Sequence, residues 1–443
     1  MKYDKPDSSK EQSMIIKKHV NPFYLPSDQE RQISSSHKKY DARDPFEKDY
    51  GRIVHSAAFR RLQAKTQVIT SEVGDFHRTR LTHSMEVAQI ARGIGISLNH
   101  LHPLFKEEYA LDLSLIEAAA LAHDLGHPPF GHRGEQALHQ CMRLFGGFEG
   151  NAHTFRILTR LEGDRENGLN VTRGLLLSVM KYPILLNKAM ERVENQELPP
   201  KASAFQSEKE AFQWALAPFS EEEKEFLQAT SAQGRYRLTQ HRTFECSIIE
   251  LADDIAYGTH DFEDAIHLGL IRLTRLKELL SSFSNHAYPE LEQAMNDLVQ
   301  LQEDHDHIKY RLKKIFSRII STFITHIQIK ENIGQLGSPR LRFVAYLPDD
   351  LNQLLTELKQ VVADQVISSQ PVQIIAWKGS YMIQQMFQAM MNEERLLPEH
   401  DREKLSQDPS DAHKARLVCD YIAGMTDPFA MKMYTRLFGE SWS

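Results

Sequence analysis

The chain has 443 residues, 41 % of them hydrophobic and 26 % charged, and a formal charge of −7. That length allows two packed subdomains and the balance is ordinary for a soluble globular protein. The net charge disfavours nucleic acid as the main partner, because phosphate contacts need positive charge. Cys141, Cys246 and Cys419 are isolated and odd in number, which argues against a disulfide framework or a CxxC zinc site. No run approaches the ~20 apolar residues of a membrane helix, and the opening MKYDKPDSSKEQS has no apolar signal core. A cytoplasmic protein with no membrane partner is expected.

Residues 1–45 are polar, carry Ser34, Ser35 and Ser36, and read as an arm, partly disordered or used in assembly. From about Asp49 the pattern turns helical. His83 to Leu98 places Val87, Ile90, Ala91, Ile94 and Leu98 on one apolar stripe. Leu113 to Leu125 is apolar nearly all round, which predicts a buried helix stopped by Pro128 and Pro129. Further helices are expected at 134–145, 151–162, 172–181, 207–217, 221–229 and 244–268, and longer ones at 290–333, 349–368, 372–396 and 411–425. Leu341 to Leu347 is the best candidate for a strand, so the fold class is all-α with room for one short β-hairpin. The expected organisation is an arm (1–45), a main helical domain (46–270, with an insertion at about 183–240) and a helical C-terminal subdomain (271–443).

The sharpest local feature is AAALAHDLGHPPFGHRGE, residues 118 to 135. His123 and Asp124 close a buried helix, where two polar groups are costly unless paired or bound to a cation. An imidazole and a carboxylate suit a divalent ion such as Mn, Mg, Fe, Co or Zn. More ligands must come from elsewhere: His83 in RTRLTHSMEV, and Asp253 or Asp254 in IIELADDIAYGTHD. Asp253, Tyr257 and Asp261 are four apart and are expected on one helix face. Each feature alone has an ordinary structural explanation: a hydrogen-bonded His–Asp pair, a surface acid pair, a solvated face for the Arg60–Lys65 run. Their joint occurrence is what raises a metal site.

The order His83, His123–Asp124, Asp253 resembles the H…HD…D signature of HD-domain phosphohydrolases. Six blocks are similar to the bacterial deoxyguanosine-triphosphate triphosphohydrolase family: DYGRIVHSAAFRRLQAKTQV (49–68), RTRLTHSMEVAQIARGIG (78–95), HDLGHPPFGHRGE (123–135), FEGNAHTFRIL (148–158), LADDIAYGTHDFEDAI (251–266) and DYIAGMTDPFA (420–430). They run from about residue 45 to 430; the arm and residues 183–240 match nothing. The resemblance implies an HD-domain helical bundle with metal ligands His83, His123, Asp124 and Asp253, the last chosen over Asp254 by the family's spacing to Tyr257 and Asp261. It implies substrate roles for Arg80, Gln67, Tyr257 and Asp261, and catalytic roles for His132 and Glu135. His127 stands at a position that varies in the family and is a candidate to share the proton donor's task or to bind phosphate. It also implies a deoxynucleoside triphosphate substrate, a homo-oligomer (often a hexamer) and, for some members, a nucleotide activator.

The chemistry is coherent with those residues. Two His and two Asp leave open positions on a metal for water and a phosphate oxygen. Attack at the α-phosphorus releases deoxynucleoside and intact triphosphate, with His132, oriented by Glu135, protonating the leaving oxygen. Arg61, Lys65, Arg80 and Arg133 are candidates for the triphosphate, Gln67 for the 3′-hydroxyl, and Tyr257 for excluding a 2′-hydroxyl. His153 is a candidate to close over the phosphates, and equally an ordinary helix N-terminal histidine. Asp420, Tyr421 and Asp427 read as packing or subunit contacts. The rival readings are an HD-type phosphodiesterase or nuclease and a non-catalytic nucleotide-sensing scaffold. Against the first, His127 stands where cyclic-dinucleotide HD enzymes carry a lysine; against the second, every expected ligand is present. The base preference is written in no motif.

Overall fold

Helix formation starts where the sequence supplies a cap and a proline together. Asp44 accepts the N–H groups of Phe46 and Glu47, Glu47 reaches back to Asp44, and Pro45 takes the first position of α1 (Pro45–His55). In this computed structural model the described residues are 22–34, 41–67, 78–106, 109–163, 167–191, 199–233, 236–283, 288–301, 308–334 and 336–439. The part of the arm within them is packed: Phe23 and Tyr24 are buried, and Asp28 Oδ1 accepts from the buried Arg340 at 2.6 Å. Residues 1–21 and 35–40 lie outside the described residues.

Thr79 caps α2 (Arg80–Leu101) through the Thr82 N–H, and the stripe Val87, Ile90, Ala91, Ile94 and Leu98 is buried as its spacing predicts. Asp112 caps α3 (Leu113–Ala122), whose Leu115, Ile116 and Ala118 to Ala122 are all buried. This helix ends at Ala122, before the proline pair, so His123 to Gly126 form a turn rather than a last helical turn. Then come α4 (Gly131–Cys141), α5 (Gly150–Arg156), α6 (Arg173–Val179) and α7 (Phe244–Ala256). Helices α2, α3 and α7 pack on one another and set their polar ends around a common point.

The expected helix 244–268 is interrupted by a π-helical turn, Tyr257–Asp261, before it resumes at Phe262–His267. The wider turn shifts the four-residue register: Tyr257 lines the central cavity whereas Asp261 is buried away from its wall. The expected helix 290–333 is instead α8 (Pro289–Val299), α9 (Ile308–Thr325) and a strand, β3 (Gln328–Glu331). The strand exists because β4 (Phe343–Tyr346), within the expected 341–347, needs a backbone partner; the two are antiparallel, with Gln328 opposite Tyr346 and Glu331 opposite Phe343. A second hairpin, β1 (Thr230–Gln233) with β2 (Tyr236–Thr239), was not expected. Short helices at Leu273–Ser282 and Glu399–Gln407 were also unforeseen.

The chain closes with α10 (Asp349–Val362), α11 (Gln370–Asn392), α12 (Asp411–Ala423) and α13 (Asp427–Phe438). One apolar core joins residues from Phe23 to Val366. A second joins Ala137, Leu138, Met142, Phe148 and Phe205 to Ile383, Met386, Val418, Cys419 and Ile422. Among the described residues no helix is long and apolar enough to cross a membrane. The fold is all-α.

Candidate metal centre and its cavity

Four expected ligands meet where α2, α3 and α7 converge. His83 Nε2 faces Asp253 Oδ1 at 3.0 Å, and His123 Nε2 lies 3.6 Å from Asp124 Oδ1 and 3.7 Å from Asp253 Oδ1. The donor atoms of His83, His123 and Asp124 all lie within 4.8 Å of one another. Two ligands about 2.1 Å from a common ion are roughly 3.0–3.6 Å apart at 90–120°. The His83–Asp253 and His123–Asp124 separations fall in that range, and the others would have to contract by a few tenths of an ångström or more. His123 Nδ1 faces the Ala120 carbonyl at 2.6 Å, so the proton belongs on Nδ1 and the Nε2 lone pair is free. That buried Nε2 has no hydrogen-bond partner. A borderline divalent cation fits this donor set.

The turn holding His123 and Asp124 is shaped by close contact with α5. A Cβ at Gly126 would lie 2.2 Å from the Gly150 carbonyl oxygen and the Thr154 nitrogen, so only glycine lets the turn approach. Thr154 Oγ1 accepts the Gly126 N–H at 2.9 Å and donates to the His123 carbonyl at 3.2 Å. Asp124 is further held by Arg80 Nη1 at 2.5 Å and His127 Nδ1 at 2.9 Å. Burial opposes its charge, but His127, Arg80 and His123 together hold the Asp124 carboxyl well below the usual range. Burial likewise opposes the charge of Asp253, which is partly open to the cavity, but the His83 hydrogen bond and the charges of His123, His83 and Lys181 together hold it low. Its neighbour Asp254 turns away to Lys359 Nζ at 2.6 Å.

These groups form the floor of a cavity of about 520 Å³. Of the residues singled out from sequence, Gln67, Arg80, His83, His123, Asp124, His127, His132, Arg133, Glu135, Asp253 and Tyr257 line it. His132 Nδ1 faces Glu135 Oε2 at 3.3 Å, and its ring is 5.6 Å from that of His127. Glu135 is buried and accepts the Gly150 N–H at 3.0 Å and Lys201 Nζ at 3.3 Å. Burial opposes its charge; Lys201 and His132 hold its carboxyl low nonetheless. Lys201 also reaches Glu149 Oε1 at 3.4 Å, but burial dominates there and pushes Glu149 up to about 7. Gln67 Oε1 is buried without a hydrogen-bond partner, so it is available to a ligand.

Four of the singled-out residues lie off the cavity wall. Arg61 faces Glu162 at 3.5 Å, half exposed. Lys65 is buried, its Nζ donating to the His127 and Ala423 carbonyls at 2.5 and 3.0 Å, and burial lowers its pKa to about 7. His153 is buried with Nδ1 against the Gly126 carbonyl at 3.0 Å. Asp261, pushed up to about 7 by burial, sits close enough to His83 for the two charges to feel each other. Conversely, the wall includes Asn151, Lys181, Tyr182, Lys201 and Asp427, which motif reading did not place there. Lys201 comes from a stretch without any readable pattern, and no local signal could have found it.

Comparison with known proteins bears on the family. Residues 80–258 match the HD domain and residues 345–436 match a phosphohydrolase-associated domain. A deoxyguanosinetriphosphate triphosphohydrolase-like protein of Vibrio vulnificus is 39 % identical over 419 residues, 90 % of this chain and 94 % of that one. Proteins of the same description from Shewanella woodyi and Vibrio parahaemolyticus are each 40 % identical, over 432 and 423 residues (92 % and 90 % of this chain, 95 % and 94 % of theirs). The convergence of the expected ligands, the helical fold and near full-length similarity thus place this chain in the deoxyguanosinetriphosphate triphosphohydrolase-like family of HD-domain phosphohydrolases.

Proposed function

We propose that the protein hydrolyses deoxynucleoside triphosphates to deoxynucleoside and inorganic triphosphate, using a divalent metal held by His83, His123, Asp124 and Asp253. The observation that carries the reading is the meeting of those donor atoms, the orphaned His123 Nε2 among them, beneath a cavity whose wall holds the His132–Glu135 pair. When bound, the cation supplies Lewis acidity toward the α-phosphate and a more acidic water.

The chain's own residues do the rest. His132 is the donor for the 5′ oxygen as it leaves, since it projects into the cavity and its Nδ1 is engaged by Glu135. Glu135, made an anion by Lys201 and backed by the Gly150 N–H, fixes the imidazole's orientation and balances its charge. His127 stays on Asp124 and shares the proton relay at most through its contact with His132. Arg80, Arg133, Lys181 and Lys201 are the cations on the wall that the triphosphate can reach. Gln67 Oε1 accepts from the sugar 3′-hydroxyl, and the half-buried Tyr257 ring closes the space a 2′-hydroxyl needs. Lys65, Arg61, His153 and Asp261 act from behind the wall; Lys65 in particular buttresses the His127 carbonyl.

The test is to incubate the purified protein, loaded with Mn²⁺, with each dNTP and with GTP, and to separate products by anion exchange. Deoxynucleoside plus unbroken triphosphate, absent in Asp253→Ala, is the expected result. Pyrophosphate or orthophosphate as first product overturns the assigned point of attack. The same panel reads base preference, and mixed dNTPs read a nucleotide activator.

A further inference from the structure

The segment DYIAGMTDPFA reads from sequence as packing or a subunit contact, yet Asp427 lines the cavity. It opens α13 and is buried. Its two carboxylate oxygens take two backbone donors from distant parts of the chain. The Phe130 N–H donates to Oδ1 at 3.1 Å, and the Thr66 N–H donates to Oδ2 at 3.0 Å. Phe130 is two residues before His132; Thr66 is one before Gln67. One carboxylate therefore clamps the turn that aims the candidate proton donor and the turn that aims the candidate sugar contact.

Two independent features show that the first turn needs holding. Phe130 has a left-handed backbone with φ 63°, a conformation that a bulky residue keeps only when its surroundings over-determine it. Its ring is seated against Gly379 of α11, where a Cβ would lie 2.3 Å from the ring's Cγ. The ring and the N–H of Phe130 are thus both gripped from the phosphohydrolase-associated domain. The second turn is tied to the same place: Lys65, immediately before Thr66, donates to the Ala423 carbonyl at the end of α12, and the Arg80 N–H donates to the Lys65 carbonyl at 3.1 Å.

We propose that Asp427 is a positioning residue for hydrolysis, acting through His132 and Gln67 rather than on the substrate. The inference rests on the roles given to those two residues above. Asp427→Asn is the informative change. It keeps the side chain's size, leaves one acceptor, and turns an amide donor toward the second N–H. Gly379→Ala disturbs the Phe130 turn from the opposite side with the carboxylate intact.

Both variants of the full chain are followed by hydrogen exchange with mass spectrometry, by Mn²⁺ titration and by dNTP kinetics. In Asp427→Asn, exchange at Thr66 and Phe130 rises about tenfold or more while other segments keep wild-type rates. Mn²⁺ affinity holds, because the four ligands sit on other elements, while kcat falls about tenfold to a hundredfold and KM rises. Gly379→Ala speeds exchange in the Phe130 segment alone and lowers kcat with KM held. Wild-type exchange at both turns in Asp427→Asn, or unchanged kcat and KM, overturns the proposal. So does a general rise in exchange across the protein, which assigns Asp427 to overall stability. If wild type turns over no dNTP but the local exchange changes appear, the clamp stands and the substrate reading falls.

Discussion

Arg80→Met separates charge balance from substrate binding at the metal centre. Arg80 is 4 % exposed and its Nη1 lies 2.5 Å from Asp124 Oδ2. Without metal, removing the arginine leaves a buried carboxylate short of its guanidinium partner, which costs about 3–5 kcal/mol. With a divalent cation on Asp124 that charge is balanced again, and roughly 1–2 kcal/mol of lost hydrogen bonding remains. The difference of about 2–3 kcal/mol must reappear, by linkage, as metal binding roughly 30- to 150-fold tighter in the variant. Turnover moves the other way, because a triphosphate loses one of its cations. Denaturant midpoints with EDTA and with saturating Mn²⁺, together with a Mn²⁺ isotherm, read both sides of the cycle. Equal destabilisation in the two conditions, or weaker Mn²⁺ binding in Arg80→Met, refutes the argument and makes Arg80 a holder of the ligand geometry instead.

Asp253→Ala takes the carboxylate from His83 and His123, and Mn²⁺ affinity should fall about a hundredfold or more; Asp254→Ala breaks only a solvent-accessible pair with Lys359 and should leave affinity within about twofold. Tyr257→Ala removes the ring expected to exclude a 2′-hydroxyl, so the kcat/KM ratio of dGTP over GTP should drop by about tenfold; an unchanged ratio sinks that role. Asp112 caps α3 while burial, reinforced by Asp44, pushes its pKa from 3.8 up to about 7. Between those values the folded chain keeps a proton that the unfolded chain has released, so stability falls as pH rises through the window. Asp112→Asn keeps the cap and should flatten that stretch of the stability–pH curve, by about 4 kcal/mol at the ceiling; a curve that keeps its slope removes Asp112 as the cause.

How much of this was legible depended on whether the signal was local. The α2 stripe and the buried α3 follow from spacing alone, and the all-α class with them. His123 and Asp124 stood out because two polar groups ended an apolar run. The π turn at Tyr257–Asp261 was invisible, since a widened turn leaves no compositional mark, and it moved Asp261 off the face its four-residue spacing implied. The β3 strand was hidden for a related reason: it exists by pairing with a segment a dozen residues later, and its own residues read equally as helix. Lys201 and Asp427 reach the cavity only through tertiary packing, from a patternless stretch and from the opposite end of the chain. Basic residues misled in the other direction. Arg61 and Lys65 looked free to meet phosphate, but the fold commits one to Glu162 and the other to backbone carbonyls.

The balance of charge on the cavity wall also constrains the order of events. Among the described lining residues Arg80, Arg133, Lys181, Lys201 and Lys359 face six carboxylates, those of Asp124, Glu135, Glu250, Asp253, Asp254 and Asp427. Several cations are already committed: Arg80 to Asp124, Lys181 to Glu250, Lys201 to Glu135 and Glu149, and Lys359 to Asp254. A polyanion entering that wall alone meets no surplus of positive charge. On the proposed function, a divalent cation held by His83, His123, Asp124 and Asp253 would reverse the sign at the floor and compete with Arg80 for Asp124, leaving Arg80 available to the phosphates. The same proposal then predicts that metal and nucleotide binding are coupled through the Arg80–Asp124 pair, each tightening the other by the same factor, and equal nucleotide affinity with and without Mn²⁺ refutes it.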